Sequence, residues 1–169
     1  MKITDFFDKT VCINLDRRFD RWSECVAEFD KNKLTGIERF KAVDGKNLAK
    51  LPKGFLTTSR LALVLTNMLI LEKAIEEDYN SILILEDDVE FTNQVTNMES
   101  FFDSLPEDWD MIYFGGNHNT HVGSNPPTII NDKVCKLHNT YSTHCVGINK
   151  KSYNVILERL KKCDNALDV

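Results

Sequence analysis

The hydrophobic positions of this chain form short continuous runs that alternate with longer stretches of helical spacing. Short runs rich in Val, Ile and Leu, bounded by polar or turn residues, predict β-strands. The predicted strands are 10–15, 37–43, 81–85, 110–114, 134–137 and 142–148. The run at 81–85 (SILIL) ends in four aliphatic residues, which is typical of a strand buried on both faces in the middle of a parallel sheet.

Apolar residues three or four positions apart predict the helices. The first helix is indicated by the spacing of Phe19, Trp22, Val26 and Phe29. Either Asp16 or Asp20 lies near its start, where a carboxylate can accept hydrogen bonds from free N–H groups. Further helices are predicted from 58 or 59 to about 78, at 94–104 and around 153–160, and a short extended piece at 89–91.

The order strand–helix–strand–helix–strand predicts an α/β fold. We expect a single domain with a mostly parallel central sheet and helices on both faces. In such sheets ligands bind beyond the carboxyl ends of the strands. The residues that follow Leu15, Leu85 and Phe114 are therefore candidates for a functional site. Two segments without periodicity, 46–57 and 117–128, predict loops, and long loops in compact domains are often functional.

Composition narrows the class of protein. The chain has 169 residues, 42% of them hydrophobic, which suits one globular domain. A net charge of −5 disfavours a nucleic-acid partner, because a polyanion is usually met by a basic face. The longest apolar stretch, 61–71, is shorter than the roughly 20 residues that span a bilayer, and the acidic N-terminus does not resemble a secretory signal. The five cysteines include no C-x-x-C pair and are interpreted as mostly small buried residues, so we expect a cytoplasmic protein without a transmembrane segment.

Three successive carboxylates, Glu86-Asp87-Asp88, follow the run at 81–85. Crowded carboxylates repel one another, and a divalent cation with oxygen ligands relieves that repulsion. Residues 86 and 88 project to the same side of an extended segment, so Glu86 and Asp88 are candidate metal ligands. The alternative is a solvated acidic turn, but the position at the end of a buried strand favours a site.

A basic segment follows the first predicted strand. It comprises Asn14-Leu15-Asp16-Arg17-Arg18, with Arg21 one helical turn further on. Arginines near a helix N-terminus suit a diphosphate, because guanidinium forks and free N–H groups both donate. Equally, these arginines can pair on the surface with the acidic residues Asp16, Asp20 and Glu24. Both interpretations stay open at this point, and Asp44-Gly45 alone indicates only a turn.

The histidines are weaker signals. His118 and His121 lie in the predicted loop 117–128, and a lone H-x-x-H in a loop is more often incidental than metal-binding. His144 lies in the predicted strand 142–148, where a core histidine is as plausible as a functional one. The chain has no G-x-x-x-x-G-K-[ST], G-x-G-x-x-G or G-x-S-x-G motif, which removes the main support for P-loop, dinucleotide-binding and serine-hydrolase functions.

Five segments, in this order, resemble glycosyltransferase family 25, which includes lipooligosaccharide and procollagen galactosyltransferases. The segments are VCINLDRRFDRW (11–22), FKAVDG (40–45), SILILEDDVEF (81–91), DWDMIYFGG (108–116) and THCVGINKKSY (143–153). The resemblance runs from about residue 10 to the end. It implies a GT-A fold of Rossmann-like type and transfer of galactose or another hexose from a nucleotide-sugar donor, with a UDP-sugar expected. It also implies a glycan or lipid-linked acceptor and inversion at the anomeric carbon.

The same resemblance implies roles for individual residues. Glu86-Asp87-Asp88 would be the family's version of the D-x-D motif, in which Asp88, helped by Glu86, holds Mn²⁺ or Mg²⁺ against the donor diphosphate. Asp87 would face the ribose or the donor sugar. The other implied donor-binding residues are Asn14, Leu15, Arg18, Arg21, Val43, Asp44 and Gly45. Asp168 and His144 are the candidate catalytic bases. The donor-binding part is expected at about 1–116, and the acceptor-side part at about 117–169 is either minimal or continued outside this sequence.

Two other hypotheses remain. One is a catalytically inactive relative that binds a sugar or a nucleotide, because the family's G-E-x-G-C-x-x-S-H stretch is replaced here, with Thr66-Asn67 at the Ser-His positions. The other is a phosphotransfer protein of the receiver type, which also binds Mg²⁺ on acids at a strand end. Receivers carry their acid pair after the first strand, and here Asp16-Arg17-Arg18 follows it, which disfavours that hypothesis.

Overall fold

The computed structural model describes residues 1–49, 57–118, 125–138 and 140–162. Its strands are β1 (Lys9–Asn14), β2 (Ile37–Lys41), β3 (Ser81–Glu86), β4 (Met111–Tyr113), β5 (Asn117–His118), β6 (Thr128–Ile129), β7 (Cys135–Lys136), β8 (Thr140–Tyr141) and β9 (Cys145–Asn149). Its helices are α1 (Phe19–Lys31), α2 (Thr58–Glu76), α3 (Glu99–Phe102) and α4 (Lys150–Lys161). Short 3₁₀ helices lie at Ile3–Asp5, Gly45–Asn47 and Asn93–Thr96.

The main sheet has five strands in the order β2-β1-β3-β9-β4. Strand β1 pairs in parallel with both β2 and β3. Strand β9 lies between β3 and β4 and is antiparallel to both. Four strands therefore share one direction, which confirms the predicted mostly parallel sheet. Two further pairs, β5 with β8 and β6 with β7, lie outside the main sheet.

Helices cover both faces of the sheet, as predicted, because side chains alternate along each strand. On β3, Ile82 and Ile84 pack with α2 and α4, whereas Leu83 and Leu85 pack with α1 and α3. Helix α2 is apolar on nearly every side in its first half and is deeply packed there, with eight buried residues along its length. The Thr57 hydroxyl caps this helix by accepting a hydrogen bond from the Arg60 N–H at 3.2 Å.

Several predicted elements differ from the structure. The helix predicted at 94–104 is interrupted, because Asn97 has non-helical dihedral angles and the Met98 N–H donates to the Met1 carbonyl instead of a helical partner. The extended piece predicted at 89–91 is not a strand. The strand predicted at 142–148 begins only at Cys145, so His144 lies just before it. Parts of the two predicted loops, 50–56 and 119–124, fall outside the described residues.

Candidate active site

The carboxyl ends of three adjacent strands meet at one edge of the sheet. Asn14 ends β1, Glu86 ends β3, and the segment 42–46 follows β2. An inner cleft of about 240 Å³ opens at this edge, against the first turns of α2. Its lining consists of Ile13, Asn14, Leu15, Arg17, Ala42, Val43, Asp44, Gly45, Lys46, Thr58, Ser59, Ala62, Leu63, Thr66, Glu86 and Asp87. The cleft lies where the parallel-sheet topology predicts a ligand.

A second cavity, the outer groove, adjoins the inner cleft. It is lined by Leu63, Glu86, Asp88, Glu90, Ser142, Thr143 and His144. Leu63 and Glu86 line both cavities, so they form the boundary between them. The three successive carboxylates are thereby divided: Asp87 faces the inner cleft, Asp88 faces the outer groove, and Glu86 borders both.

The carboxylate of Asp87 is held on both of its oxygens. The Asn14 amide Nδ2 donates to Oδ2 at 2.7 Å, and Arg21 Nη1 donates to Oδ1 at 3.0 Å. The bond to Asp87 is the main cause that raises the pKa of the Arg21 guanidinium. Because charge-assisted hydrogen bonds are strong and directional, Asp87 has one well-defined orientation at the wall of the cleft.

Glu86 and Asp88 are less restrained. The Thr143 hydroxyl donates to Glu86 Oε1 at 2.8 Å, and the Glu86 N–H donates to the His144 carbonyl at 2.9 Å. The Asp88 side chain is 57% exposed, and Arg21 Nη1 lies 3.5 Å from its Oδ2. Both carboxylates line the outer groove, as expected if the segment carries 86 and 88 on one side.

Asp44 also lines the inner cleft, and hydrogen bonds to both of its carboxylate oxygens fix its orientation. The Lys46 N–H donates to Oδ1 at 3.0 Å, and Arg17 Nε donates to Oδ2 at 2.7 Å. These bonds, the Lys46 one first, hold the pKa of the Asp44 carboxyl below its usual value. The cleft therefore presents a carboxylate that is held by one guanidinium and one backbone N–H.

The turn that carries Asp44 packs tightly on α2. The Thr66 hydroxyl, fully buried, accepts a hydrogen bond from the Val43 N–H at 2.9 Å. A Cβ atom at Gly45 would lie 2.8 Å from the backbone carbonyl atoms of Thr58, so only glycine fits without a shift of the helix start. Gly45 thus allows the turn to lie close against the backbone at the start of α2. The contacts of Val43 and Gly45 with α2 hold Asp44, which lies between them, at the wall of the cleft.

The three arginines of the basic segment have three different partners. Arg17 pairs with Asp44 and lines the inner cleft. Arg18 pairs with its neighbour Asp20 on the surface through three short contacts, and it is not part of either cavity lining. Arg21 binds Asp87. Donor binding by Arg18 and Arg21 stays a prediction, and Arg18 has the surface pairing that the sequence left open as its alternative.

Of the two candidate bases, one can be located. His144 is partly exposed and lines the outer groove rather than the core, and its Nε2 lies 3.2 Å from the position that a Cβ of Gly115 would occupy. Asp168 lies outside the described residues, as do His121 and Cys163. The Nε2 of His118 donates to the Asn125 carbonyl at 3.2 Å, and its Nδ1 forms a hydrogen bond with the Thr140 hydroxyl at 3.3 Å.

The cysteines contribute packing rather than chemistry to this region. Cys12, Cys25 and Cys145 are buried, and burial is the main cause that raises the pKa of each thiol, for Cys145 to about 12. A buried thiol of raised pKa is a poor nucleophile. The interpretation of most cysteines as small buried residues is therefore confirmed for these three, whereas Cys135 is exposed.

Sequence reasoning did not select four residues that shape the site: Arg17, Arg39, Thr66 and Thr143. The pattern does not distinguish Arg17 from its neighbours, because side-chain direction in an irregular segment cannot be read from spacing. Arg39 binds Asn14, and Thr143 binds Glu86, over 25 and 57 residues of sequence respectively. Only tertiary contacts reveal such partners.

Comparison with known protein families finds a match over most of this chain. The family model described as "Glycosyltransferase family 25 (LPS biosynthesis protein)" matches residues 7–163. The chain belongs to glycosyltransferase family 25. The match includes every described residue that lines the inner cleft and the outer groove.

Two curated relatives are the mouse and human proteins named procollagen galactosyltransferase 2. Each is 27% identical over 131 residues, which covers 64% of this chain and 21% of the relative. The chain thus spans about a fifth of the length of these relatives.

A solved structure supports the fold assignment. The crystal structure of a glycosyltransferase involved in the glycosylation of the major capsid of PBCV-1 superposes with a TM-score of 0.52 at 12% identity. The superposition covers 94% of this chain and 68% of the other. At this identity the likeness concerns the fold alone. No helix in the described part of this family 25 chain is both long and apolar enough to cross a membrane.

Proposed function

We propose that this chain transfers a hexosyl group from a UDP-sugar to a hydroxyl group of a glycan or lipid-linked acceptor, in a metal-dependent reaction with inversion at the anomeric carbon. The proposal is carried by the division of the three carboxylates. Asp87 lines the inner cleft, Asp88 lines the outer groove, and Glu86 lines both. A donor in the cleft and an acceptor in the groove would meet at this boundary.

The residues present fit a divalent cation that is shared with a donor. The described residues contain no cluster of three or more His, Cys, Asp or Glu side chains that could hold a metal by themselves. Mg²⁺ and similar ions are commonly bound by one or two carboxylates together with substrate phosphates and water. Asp88, with Glu86 beside it in the groove, supplies that number of carboxylates. Bound there, Mn²⁺ or Mg²⁺ would neutralise charge on the departing diphosphate.

The part of the inner cleft around Asp44 favours uracil as the nucleotide base. The imide edge of uracil presents an N–H donor between two carbonyl acceptors. Asp44 offers an acceptor for the N–H, and the Arg17 guanidinium, which binds Asp44 through Nε, has further N–H donors for a carbonyl oxygen. Lys46 also lines the cleft. Cytosine has an acceptor nitrogen at the central position, which would face the Asp44 carboxylate. These contacts support a uridine nucleotide.

In the transfer step the acceptor oxygen forms a bond to the anomeric carbon as the bond from that carbon to the diphosphate oxygen breaks. The electron pair leaves with UDP, and the acceptor's proton passes to a base. His144 lines the outer groove and is the proposed base among the described residues, with Asp168 as the candidate outside them. Attack on the face of the anomeric carbon opposite the departing diphosphate inverts the configuration.

Thr66 argues against the inactive-relative hypothesis at one point. That hypothesis rests on the altered stretch at 57–67, where Thr66 replaces the family's serine. The threonine hydroxyl nevertheless binds the Val43 N–H and thereby holds the turn that carries Asp44. The substitution therefore keeps a hydroxyl that holds the turn at the wall of the inner cleft.

We propose the cytoplasm as the compartment, where nucleotide-sugars are available to such an enzyme.

A thermal-shift panel with UDP-, GDP- and CMP-sugars, each with and without Mn²⁺, tests the proposal. At about 100-fold excess over Kd, the matching nucleotide should raise the unfolding midpoint by about 5 °C or more, and Mn²⁺ should increase that shift. Release of UDP from UDP-galactose then tests turnover. Stabilisation by GDP- or CMP-sugars alone would overturn the uridine assignment. Binding without turnover across a panel of acceptors would favour the inactive relative.

A further inference from the structure

Asn14, at the end of β1, is hydrogen-bonded to Arg39 on β2 and to Asp87 directly after β3, and so links the ends of three adjacent strands. It is 1% exposed, and the two ends of its side-chain amide have different partners. Its Nδ2 donates to Asp87 Oδ2 at 2.7 Å and to the Arg18 carbonyl at 3.1 Å. Its Oδ1 accepts from Arg39 Nε at 2.9 Å. The amide therefore points its donor end towards the inner cleft and its acceptor end towards β2.

The orientation of that amide decides whether Asp87 is attracted or repelled. An amide oxygen and an amide NH₂ group have nearly the same shape, so packing alone does not distinguish the two orientations. In the observed orientation Asn14 donates to the Asp87 carboxylate. In the flipped orientation a carbonyl oxygen would face Asp87 Oδ2, which would lose its donor, and Arg21 alone would hold the carboxylate through Oδ1.

Arg39 fixes the acceptor end of the amide, whereas Asp87 and the Arg18 carbonyl bind its donor end. A guanidinium carries donors only, so the Asn14 end that faces it must be the oxygen. The Arg39 guanidinium is itself fixed, with its central carbon 5.7 Å from the Phe19 ring centroid and 5.8 Å from that of Trp22. Its Nη1 also donates to Asp16 at 3.1 Å. Aromatic rings and a carboxylate thus hold the guanidinium against Asn14.

We propose that Arg39 is a positioning residue for the donor site, which acts through Asn14 on Asp87. Arg39 is not part of the lining of either cavity, so it exerts this effect without touching the donor. The inference deepens the proposed function, because it assigns to Asp87 a carboxylate orientation that the donor requires. It also gives Arg39, the central residue of β2, a role that its position in a strand does not reveal.

The first test needs no nucleotide. The Asn14 side-chain amide hydrogens, bound to Asp87 and Arg18, should exchange slowly with solvent, and NMR of ¹⁵N-labelled protein measures this. Arg39→Met should accelerate their exchange at least tenfold, whereas Lys41→Met should leave it unchanged. Lys41 is the matched control, because its side chain pairs with the same carboxylate, Asp16, from the same edge. Its contact with Asn14 is the backbone pairing of β2 with β1, which the substitution keeps. Equal exchange rates in wild type and Arg39→Met would overturn the proposal.

The second test uses UDP with Mn²⁺ as the probe in a calorimetric titration. Loss of the partner that orients a ligand-contacting group typically costs about tenfold in affinity, so Arg39→Met should raise the Kd for UDP by about that factor. Asn14→Ala should also raise the Kd for UDP by about tenfold. The double variant should have a Kd no higher than that of either single variant, because both changes break the same series of hydrogen bonds from Arg39 through Asn14 to Asp87. Lys41→Met should bind as wild type does.

The outcomes separate this inference from the proposed function. If wild-type protein does not bind UDP, the uridine assignment fails, and the exchange measurement still decides the role of Arg39. If wild type binds UDP and Arg39→Met binds equally well, the role of Arg39 fails while the proposed function stands. If the two substitutions raise the Kd for UDP additively and also lower the thermal stability, Arg39 has a structural role. That result would contradict the proposal that Arg39 acts through Asn14 on Asp87.

Discussion

The hydroxyl of Thr66 joins helix α2 to the turn at 42–45, which lines the inner cleft. It accepts from the Val43 N–H at 2.9 Å and donates to the Ala62 carbonyl at 2.7 Å, so both of its hydrogen-bonding functions are used. The residue is fully buried. A buried N–H that loses its partner costs about 1–3 kcal/mol, so this single hydroxyl controls how the turn at 42–45 is held.

Replacement of Thr66 by valine removes the hydroxyl and keeps the shape. We expect Thr66→Val to lower the free energy of unfolding by about 1–3 kcal/mol and to weaken UDP binding, because Asp44 follows Val43. Thr66→Ser retains the hydroxyl and should bind UDP within about twofold of wild type. Urea denaturation and calorimetry measure the two quantities. Equal UDP affinity in the valine and serine variants would contradict the role of the hydroxyl.

Arg17 and Arg18 are neighbours in sequence with different surroundings. Arg17 lines the inner cleft against Asp44, whereas Arg18 pairs with the exposed Asp20. We expect Arg17→Gln to raise the Kd for UDP by about tenfold, because a charge-assisted donor is lost from the cleft. Arg18→Gln should have a smaller effect. The opposite ranking, measured by titration calorimetry, would restore the sequence-based assignment of Arg18 and count against the proposed position of the nucleotide.

Asp88 is proposed to hold the metal from the outer groove. Asp88→Asn removes the negative charge and keeps the shape, so Mn²⁺ should no longer strengthen UDP binding, while metal-independent binding in the cleft persists. Sugar transfer should fall by at least 100-fold. Asp103→Asn, at an exposed site after α3, is the control for a lost surface charge. Unchanged Mn²⁺ dependence in Asp88→Asn would rule out this ligand.

Glu28 ties helix α1 to the segment that follows the three carboxylates. Its Oε1 accepts from the Phe91 N–H at 2.9 Å, and this bond is the first cause that lowers the pKa of the Glu28 carboxyl, followed by Lys31. A carboxyl of lowered pKa stabilises the fold fully above its unfolded pKa of about 4.3, and the contribution is lost as the pH falls through the folded pKa.

The corresponding variant is Glu28→Gln. We expect its free energy of unfolding to be about 1 kcal/mol lower than that of wild type at pH 7. This difference should shrink below about pH 4, because wild-type Glu28 becomes protonated there. Urea denaturation at pH 7, 5 and 3.5 measures this. A difference that stays constant, or grows, as the pH falls would contradict the assignment.

The comparison between sequence and structure is clearest in β3. Four aliphatic residues followed by three acids predict a buried central strand with carboxylates at its carboxyl end, and the structure confirms this, since residues 81–85 are all buried. Local pattern suffices there because burial on both faces requires apolar residues at every position. The helix at 94–104 shows the opposite case. Its apolar spacing is regular enough, but a hydrogen bond from Met98 to distant Met1 competes with the helical pattern.

The sequence by itself determined the α/β class, the central strand, the edge at which the site lies and the family resemblance, because these follow from local periodicity and from motifs that are contiguous in the chain. Only the tertiary structure decided which side chains face one another: Arg17 and not Arg18 at the cleft, Arg39 behind Asn14, and Asp87 and Asp88 in different cavities. Such pairings join residues far apart in sequence, and their geometry depends on strand order and register, which no local pattern encodes.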